Sequence, residues 1–276
     1  MPEGDTVWRT ARRLHEAFTG EPLTVCDLRW PGLSTLDFRG VVTTEVVSRG
    51  KHILHRLGSG WTIHSHLRMD GSWRILRTSQ ARPPGNTVRA VLATAAWTAH
   101  GVRLGMLDVL ATSDESSVVG HLGPDLLGPD WDPTEAVRRL RGSGTSIGAA
   151  LLDQRNLAGL GTLWCAETLF LQRLHPWHPV AELTDDQLAG VVARAHRLLS
   201  VSKDHAIPSS TGLRRDGANT YAHGRSGLPC RRCGTTVRVA MIGPPTRERT
   251  MFYCPACQGG LGPTDDGRPQ RPLGAR

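Results

Sequence analysis

The sequence predicts an α+β multidomain protein. Three observations carry that reading. Short, turn-separated apolar runs fill residues 23–110 behind one leading helix. The period becomes helical after Pro133. Four cysteines then stand in C-x2-C-x20-C-x2-C spacing near the end of the 276 residues.

The leading helix runs from Thr6, where Val7, Ala11, Leu14 and Phe18 recur at helical spacing among Arg9, Arg12, Arg13 and Glu16. Thr6 or Asp5 serves as its N-cap. Seven strands follow at 23–30, 41–47, 52–57, 61–67, 73–77, 88–97 and 102–110, rich in Val, Leu, Thr and Trp. Turns such as Gly58-Ser59-Gly60 and Pro83-Pro84-Gly85-Asn86 separate them, a pattern of a β-sandwich or barrel. Helix and strands make a first domain over 1–118. Residues 119–132, with Gly123-Pro124-Asp125 and Gly128-Pro129-Asp130, read as a linker. Helices at 134–141, 147–154, 163–171 and 184–200 build a second domain over 133–222. Its 155–161 segment is a glycine-bearing turn that opens a helix, as in an ordinary helical hairpin or a backbone phosphate site. Residues 223–258 hold the cysteines. Residues 259–276 are a Gly/Pro/Arg tail expected to be disordered.

The formal net charge of +8 favours a polyanionic partner. Of the 33 basic residues only Lys51 and Lys203 are lysines, so the choice of a tunable point charge at those positions stands out. The charged start shows no signal peptide and no membrane span, which reads as cytoplasmic. In that setting Cys230, Cys233, Cys254 and Cys257 fit one tetrahedral zinc ion better than disulfides. Cys26 and Cys165 lie in apolar surroundings and read as buried small hydrophobes.

The first residues carry chemistry of their own. Removal of Met1 leaves Pro2 with a secondary amine, which attacks an aldehyde-like carbon to give a cationic iminium, an electron sink. Glu3 lies beside it as a proton donor or acceptor. A helix N-terminus just behind Pro2 disfavours the protonated amine and keeps the base free.

Five segments now belong together: Met1-Pro2-Glu3-Gly4; Ser48-Arg49-Gly50-Lys51; Ser65-His66-Leu67-Arg68-Met69-Asp70-Gly71; Leu152-Asp153-Gln154 with Gly159-Leu160-Gly161; and Tyr253-Cys254-Pro255-Ala256-Cys257-Gln258. In combination they resemble the Fpg/Nei family, the formamidopyrimidine-DNA glycosylases and endonuclease VIII enzymes, from Pro2 to about Gln258. The resemblance implies a two-sheet β-sandwich with a leading helix, a helical domain with a helix–two-turn–helix, and a C-terminal four-cysteine zinc-finger β-hairpin. It implies a bifunctional glycosylase and abasic-site lyase of base excision repair that removes oxidised bases and cuts the strand by β,δ-elimination. Pro2 would attack C1′, with Glu3 as general acid. Lys51 and Arg249, the latter five residues before Cys254, would hold phosphates. Met69, with Arg68 and Asp70 beside it, would fill the space of an extruded base. Gly161 and Thr162 would meet the phosphates flanking the lesion. His66 reads equally as a structural histidine or a phosphate contact. The implied partner is damaged DNA, duplex, single-stranded or bubble, met by a monomer at the bacterial nucleoid, with one structural zinc and no membrane.

The chain departs from that pattern at four places. Thr162 stands where the family usually has Asn, and Thr6 where a second glutamate is common. The Arg-x-Phe wedge of the purine-directed branch has no counterpart in 105–117, and 203–224 is short for that branch's lid. The latter two, with Gly4, point to the endonuclease VIII side and oxidised pyrimidines. Thr162 and Thr6 motivate a second reading, a catalytically weak binder of damaged or abasic DNA. A zinc-ribbon RNA-binding protein would leave Pro2 and Glu3 unused.

Overall fold

Helix α1 spans Gly4–Phe18, two residues longer at its start than the sequence predicts, and Glu3 rather than Thr6 or Asp5 is its N-cap. The Glu3 carbonyl accepts the first helical bond from the Val7 N–H at 3.0 Å, and buried Asp5 places a carboxylate in the first turn, where the helix dipole favours it. The computed structural model describes residues 2–272, which divide into two units after His121.

In the first unit, β1 (Val25–Leu28), β2 (Thr43–Arg49), β3 (His52–Leu57), β4 (Trp61–His66), β5 (Ser72–Arg77), β6 (Val88–Ala93), β7 (Trp97–Val102) and β8 (Met106–Ala111) form two four-stranded sheets. Their orders are β1-β6-β7-β5 and β2-β3-β4-β8, with every neighbouring pair antiparallel. The predicted strand 88–97 is in fact a hairpin. Thr94 Oγ1 accepts from the Ala96 and Trp97 N–H groups, so a threonine side chain builds the turn without Gly or Pro. The predicted strand 102–110 starts late, because Arg103 is left-handed (φ 48°) and Leu104 turns into the core.

That core joins Val7, Leu14 and Phe18 of α1 to Leu28, Leu92 and Ala99 of one sheet and Ile53, Leu57, Ile63 and Leu107 of the other. Each of these Val, Leu, Ile and Phe side chains contributes about 1.5–3 kcal/mol on burial. The opposite face of β3 and β4 is tied to the chain ahead of α2 (Ser116–Val119): Arg56 reaches Glu115 at 2.7 Å, and Thr62 Oγ1 donates to the same carboxylate at 2.7 Å.

The second unit holds α3 (Pro133–Arg141), α4 (Ile147–Leu152), α5 (Thr162–Gln172) and α6 (Asp185–Ser202). Asp132 caps α3 ahead of Pro133, and Thr184 with Gln187 forms a capping box on α6. α5 is apolar nearly all round, and Trp164, Cys165, Ala166, Leu169 and Phe170 are fully buried at the centre.

The hairpin of β9 (Arg238–Ile242) and β10 (Arg249–Tyr253), followed by α7 (Pro255–Gln258), packs onto the helices of the second unit. Ile242, Met251, Phe252, Cys230 and Cys254 belong to the same core as the helices.

Two further expectations are corrected. Much of the supposed linker 119–132 is structural: Leu122, Asp125 and Leu126 are buried, and 123–126 hydrogen-bonds to Gln154 and Ala158. The supposed disordered tail is folded over 259–272, where a buried Arg238–Asp265 pair fastens it; 273–276 lie outside the described residues. Among the described residues no helix is long and apolar enough to cross a membrane.

Candidate active site and nucleic-acid interface

Pro2 is half-buried and stands one residue ahead of the α1 N-cap. Glu3, next to it, is 3% exposed, and its carboxylate does not cap the helix. Pro2 thus stands just ahead of the N-terminal, positive end of α1.

Lys51 occupies the two-residue turn between β2 and β3, where Arg49 pairs with His52. Gly50 in that turn has φ 58°, the sign that a tight hairpin demands at its first position. His52 pairs across the sheet with His66, the last residue of β4, so the lysine turn adjoins the start of loop 67–71. Burial, together with the charges of Lys51 and Arg68, holds the His66 ring near pKa 4. His52 is held near 3, chiefly by burial and by the neighbouring rings of His66 and His64. Its Nδ1 lies 2.8 Å from His64 Nε2.

Loop 67–71 carries Arg68 and Met69. Met69 is 63% exposed and packs into no core. Arg68 is left-handed (φ 53°), and its N–H donates to His66 Nδ1 at 2.9 Å. The Gly71 N–H closes the loop on the Leu67 carbonyl at 3.0 Å. Gly105 makes room for Arg68: a Cβ there would lie 2.5 Å from the Arg68 Cβ and Cγ. The exposed methionine thus stands on a braced turn.

In the second unit Gly161 is the N-cap of α5 and Thr162 its first residue, 7% exposed. The loop before them folds around one side chain. Gln154 Nε2 donates to the Leu160 and Leu152 carbonyls at 2.8 and 3.1 Å, and its Oε1 accepts from the Gly159 N–H at 3.1 Å. Arg249, exposed, begins β10 at the turn end of the finger hairpin, opposite Ile242. Lys51, Arg68 and Met69 are thus brought into one corner of the first unit, with Pro2 and Glu3 at the head of α1. Gly161 with Thr162, and Arg249, are separate stations of the second unit.

The four finger cysteines are unbridged, and their Sγ atoms all lie within 4.8 Å of one another. The closest approaches, Cys233–Cys254 and Cys233–Cys257, are 3.5 Å, and Cys230–Cys257 is 3.9 Å. Four sulfurs at zinc–thiolate bond length (about 2.3 Å) around one ion would sit roughly 3.8 Å apart, so the donor set fits tetrahedral zinc. Burial also pushes the Cys254 thiol up, a cost that a divalent cation reverses.

Sequence reasoning missed Glu167, which is fully buried. Its Oε1 accepts from the Ala222 and His223 N–H groups and its Oε2 from Tyr221, each at 2.8 Å, and Ser210 Oγ joins them. It ties α5 to the segment before the finger. An acid inside an otherwise apolar helix was the available signal. The His52–His64–His66 group was missed because only strand register brings it together.

Two family models match the chain. The formamidopyrimidine-DNA glycosylase N-terminal domain covers residues 1–114, and the formamidopyrimidine-DNA glycosylase H2TH domain covers 122–210. A Streptomyces coelicolor protein named probable endonuclease 8 2 is 49% identical over 97% of this chain and 98% of its own length. A Mycolicibacterium smegmatis protein, DNA-(apurinic or apyrimidinic site) lyase Nei2, is 44% identical over 94% and 99%. A crystal structure of Lactococcus lactis formamidopyrimidine-DNA glycosylase, bound non-covalently to DNA containing an AP site, superposes with a TM-score of 0.79. It covers 93% of this chain and 99% of that one at 21% identity, a likeness of fold. With both catalogued domains and near-full-length relatives in agreement, the chain belongs to the Fpg/Nei family, on its endonuclease VIII side.

Proposed function

We propose that this protein is a bifunctional DNA glycosylase and abasic-site lyase of base excision repair, acting on oxidised bases with a preference for pyrimidines. The observation that carries the reading is Pro2 at the positive end of α1 beside the buried carboxyl of Glu3. With Met1 removed, the Pro2 nitrogen lone pair forms a bond to C1′, and the glycosidic pair leaves with the base, which takes up a proton. Glu3 protonates O4′ as the sugar ring opens, leaving the Pro2 iminium. Loss of a C2′ proton into that sink expels the 3′ phosphate. Loss of a C4′ proton then expels the 5′ phosphate.

Lys51, Arg249 and the α5 N-terminus at Gly161 and Thr162 grip phosphates. Arg68 and Met69 occupy the gap left by the extruded nucleotide. Cys230, Cys233, Cys254 and Cys257 hold one zinc, which cross-links the finger. The pyrimidine preference is supported by β8 and the short helical turn occupying 106–119 without an Arg-x-Phe wedge. The protein works as a monomer at the nucleoid.

Borohydride trapping on an abasic-site oligonucleotide tests the reading, with a covalent adduct expected at Pro2. Binding without an adduct would favour a damaged-DNA binder on the same scaffold. A lesion panel tests the preference, with thymine glycol and 5-hydroxyuracil expected to be excised ahead of 8-oxoguanine paired with cytosine.

A further inference from the structure

The chain past the last cysteine knuckle is neither absorbed by the proposed chemistry nor loose. Residues 259–272 run back along the finger hairpin and bond to it at three levels. At its base, the Asp265 carboxylate accepts from Arg238 Nε at 2.6 Å and from the Tyr253 hydroxyl at 2.6 Å, with Arg238 Nη2 on its other oxygen. Arg238 and Tyr253 are register partners on β9 and β10, so one carboxylate clasps both strands. The Asp265 side chain is fully buried and that of Arg238 is 9% exposed. Arg238 Nη2 also donates to the Arg268 carbonyl at 2.9 Å.

One residue along, the Gln270 amide pairs with the Val239 backbone as a strand would. Its Oε1 accepts the Val239 N–H at 2.8 Å, and its Nε2 donates to the Val239 carbonyl at 2.9 Å. This closes the outer edge of β9. Nearer the tip, Thr264 Oγ1 donates to the Met241 carbonyl at 2.9 Å. Met241 is the neighbour of Ile242, which faces Arg249.

We propose that residues 259–272 form a strap that fixes the finger hairpin, and that Asp265 is the positioning residue through which it holds Arg249 ready for a DNA phosphate. A two-stranded hairpin is marginal on its own, and an arginine that must meet one phosphate benefits from a rigid mount. The strap supplies that mount through its bonds to Arg238, Val239, Met241 and Tyr253. The inference rests on the reading that Arg249 grips DNA.

The test is a double-mutant cycle on the full chain: Asp265→Asn, Arg249→Ala and the pair. Kd and its salt dependence are read on a duplex carrying a tetrahydrofuran abasic analogue. Asp265→Asn is expected to weaken binding roughly ten-fold and to lower the salt slope by about one, as Arg249→Ala does. The pair should bind no worse than Arg249→Ala alone, and trapping by the Asp265→Asn single variant at saturating DNA should stay within about two-fold of wild type. Losses that add, or an Asp265→Asn protein that binds like wild type, overturn the proposal. If Asp265→Asn does not fold, Gln270→Ala, which removes only the bonds to Val239, takes its place with the same expectations. Hydrogen exchange at the Val239 amide reads the strap without DNA: protection in wild type and its loss in either variant are expected, and an unprotected wild-type amide refutes the strap. A wild-type protein with a protected Val239 amide but no grip on DNA would refute the functional reading and leave the strap standing.

Discussion

The Arg68 N–H donates to His66 Nδ1, and this bond joins loop 67–71, with its exposed Met69, to the end of β4. It also assigns the ring: with Nδ1 accepting, the neutral imidazole carries its proton on Nε2. Histidine-to-phenylalanine at 66 keeps the ring volume and deletes the acceptor. The loss of one such bond is worth about 1 kcal/mol, or roughly five-fold in affinity for an abasic-analogue duplex. His66→Asn, whose Oδ1 reaches a similar position, should recover most of that affinity. Equal binding by the phenylalanine and asparagine variants would show that the bond does not brace the loop.

Burial sets a pH limit on the first unit. His55 lies fully inside between Phe18 and Thr43, with its Nε2 2.8 Å from Thr43 Oγ1, and desolvation takes its ring to about 3. His52 and His66 are near 3 and 4. All three titrate below the ordinary 6.5, so the folded state stays neutral while the unfolded chain takes up protons. Their contribution to stability is complete above pH 6.5 and is lost as pH falls from there to about 4 for His66 and about 3 for His52 and His55. The upper limit is about 1.4 kcal/mol per pH unit for each ring. The urea midpoint should therefore drop clearly between pH 7 and pH 5. A flat profile over that interval contradicts the buried, neutral assignment.

Legibility followed the range of the interactions. α1, α3 and α6 were readable because their apolar stripes are local, α5 because it is a nearly continuous apolar run, and the cysteines because spacing alone implies a cluster. The turn at 94–96 was not, since Thr94 does with a side-chain oxygen what Gly or Pro does elsewhere. Residues 259–272 have the composition of a disordered tail, yet Asp265 meets Arg238 across 27 positions, a pairing that no window of sequence contains. In the candidate site, Pro2, Glu3 and Lys51 are marked by position and rarity. The braces behind the site, His66 under Arg68, Gln154 inside its loop and Glu167 on 221–223, exist only once strands and helices are in register.

Glu167 tests that last group. A carboxylate facing three backbone N–H groups and a hydroxyl is matched on every lone pair. Glu167→Gln turns an NH2 toward one or two of those donors at almost unchanged volume. The expected cost is about 2–4 kcal/mol, since charged hydrogen bonds are lost and donors are left buried without partners. Thermal melting should register it, and limited proteolysis should open the 205–223 segment first. A melting temperature within a degree of wild type would mean that water or a rearranged loop serves as well.

Zinc removal should reach further than the finger. Cys230 and Cys254 lie in the same core as Trp164, Leu169 and Phe170, and Met251 and Phe252 of β10 pack there too. Structural zinc contributes about 10–16 kcal/mol in isolated finger peptides. The strap and the shared core will retain part of the finger's order here, so the apo protein should lose less than that. Hydrogen exchange after chelation should show deprotection at 230–235 and 254–258, spreading to β10 and the buried face of α5. The amides of β3 and β4, in a unit with its own core, should keep their protection. Affinity for the abasic-analogue duplex should fall with the β10 signal, because Arg249 begins that strand. A chelated protein whose α5 and β10 amides exchange as slowly as before would show that the common core holds without the metal.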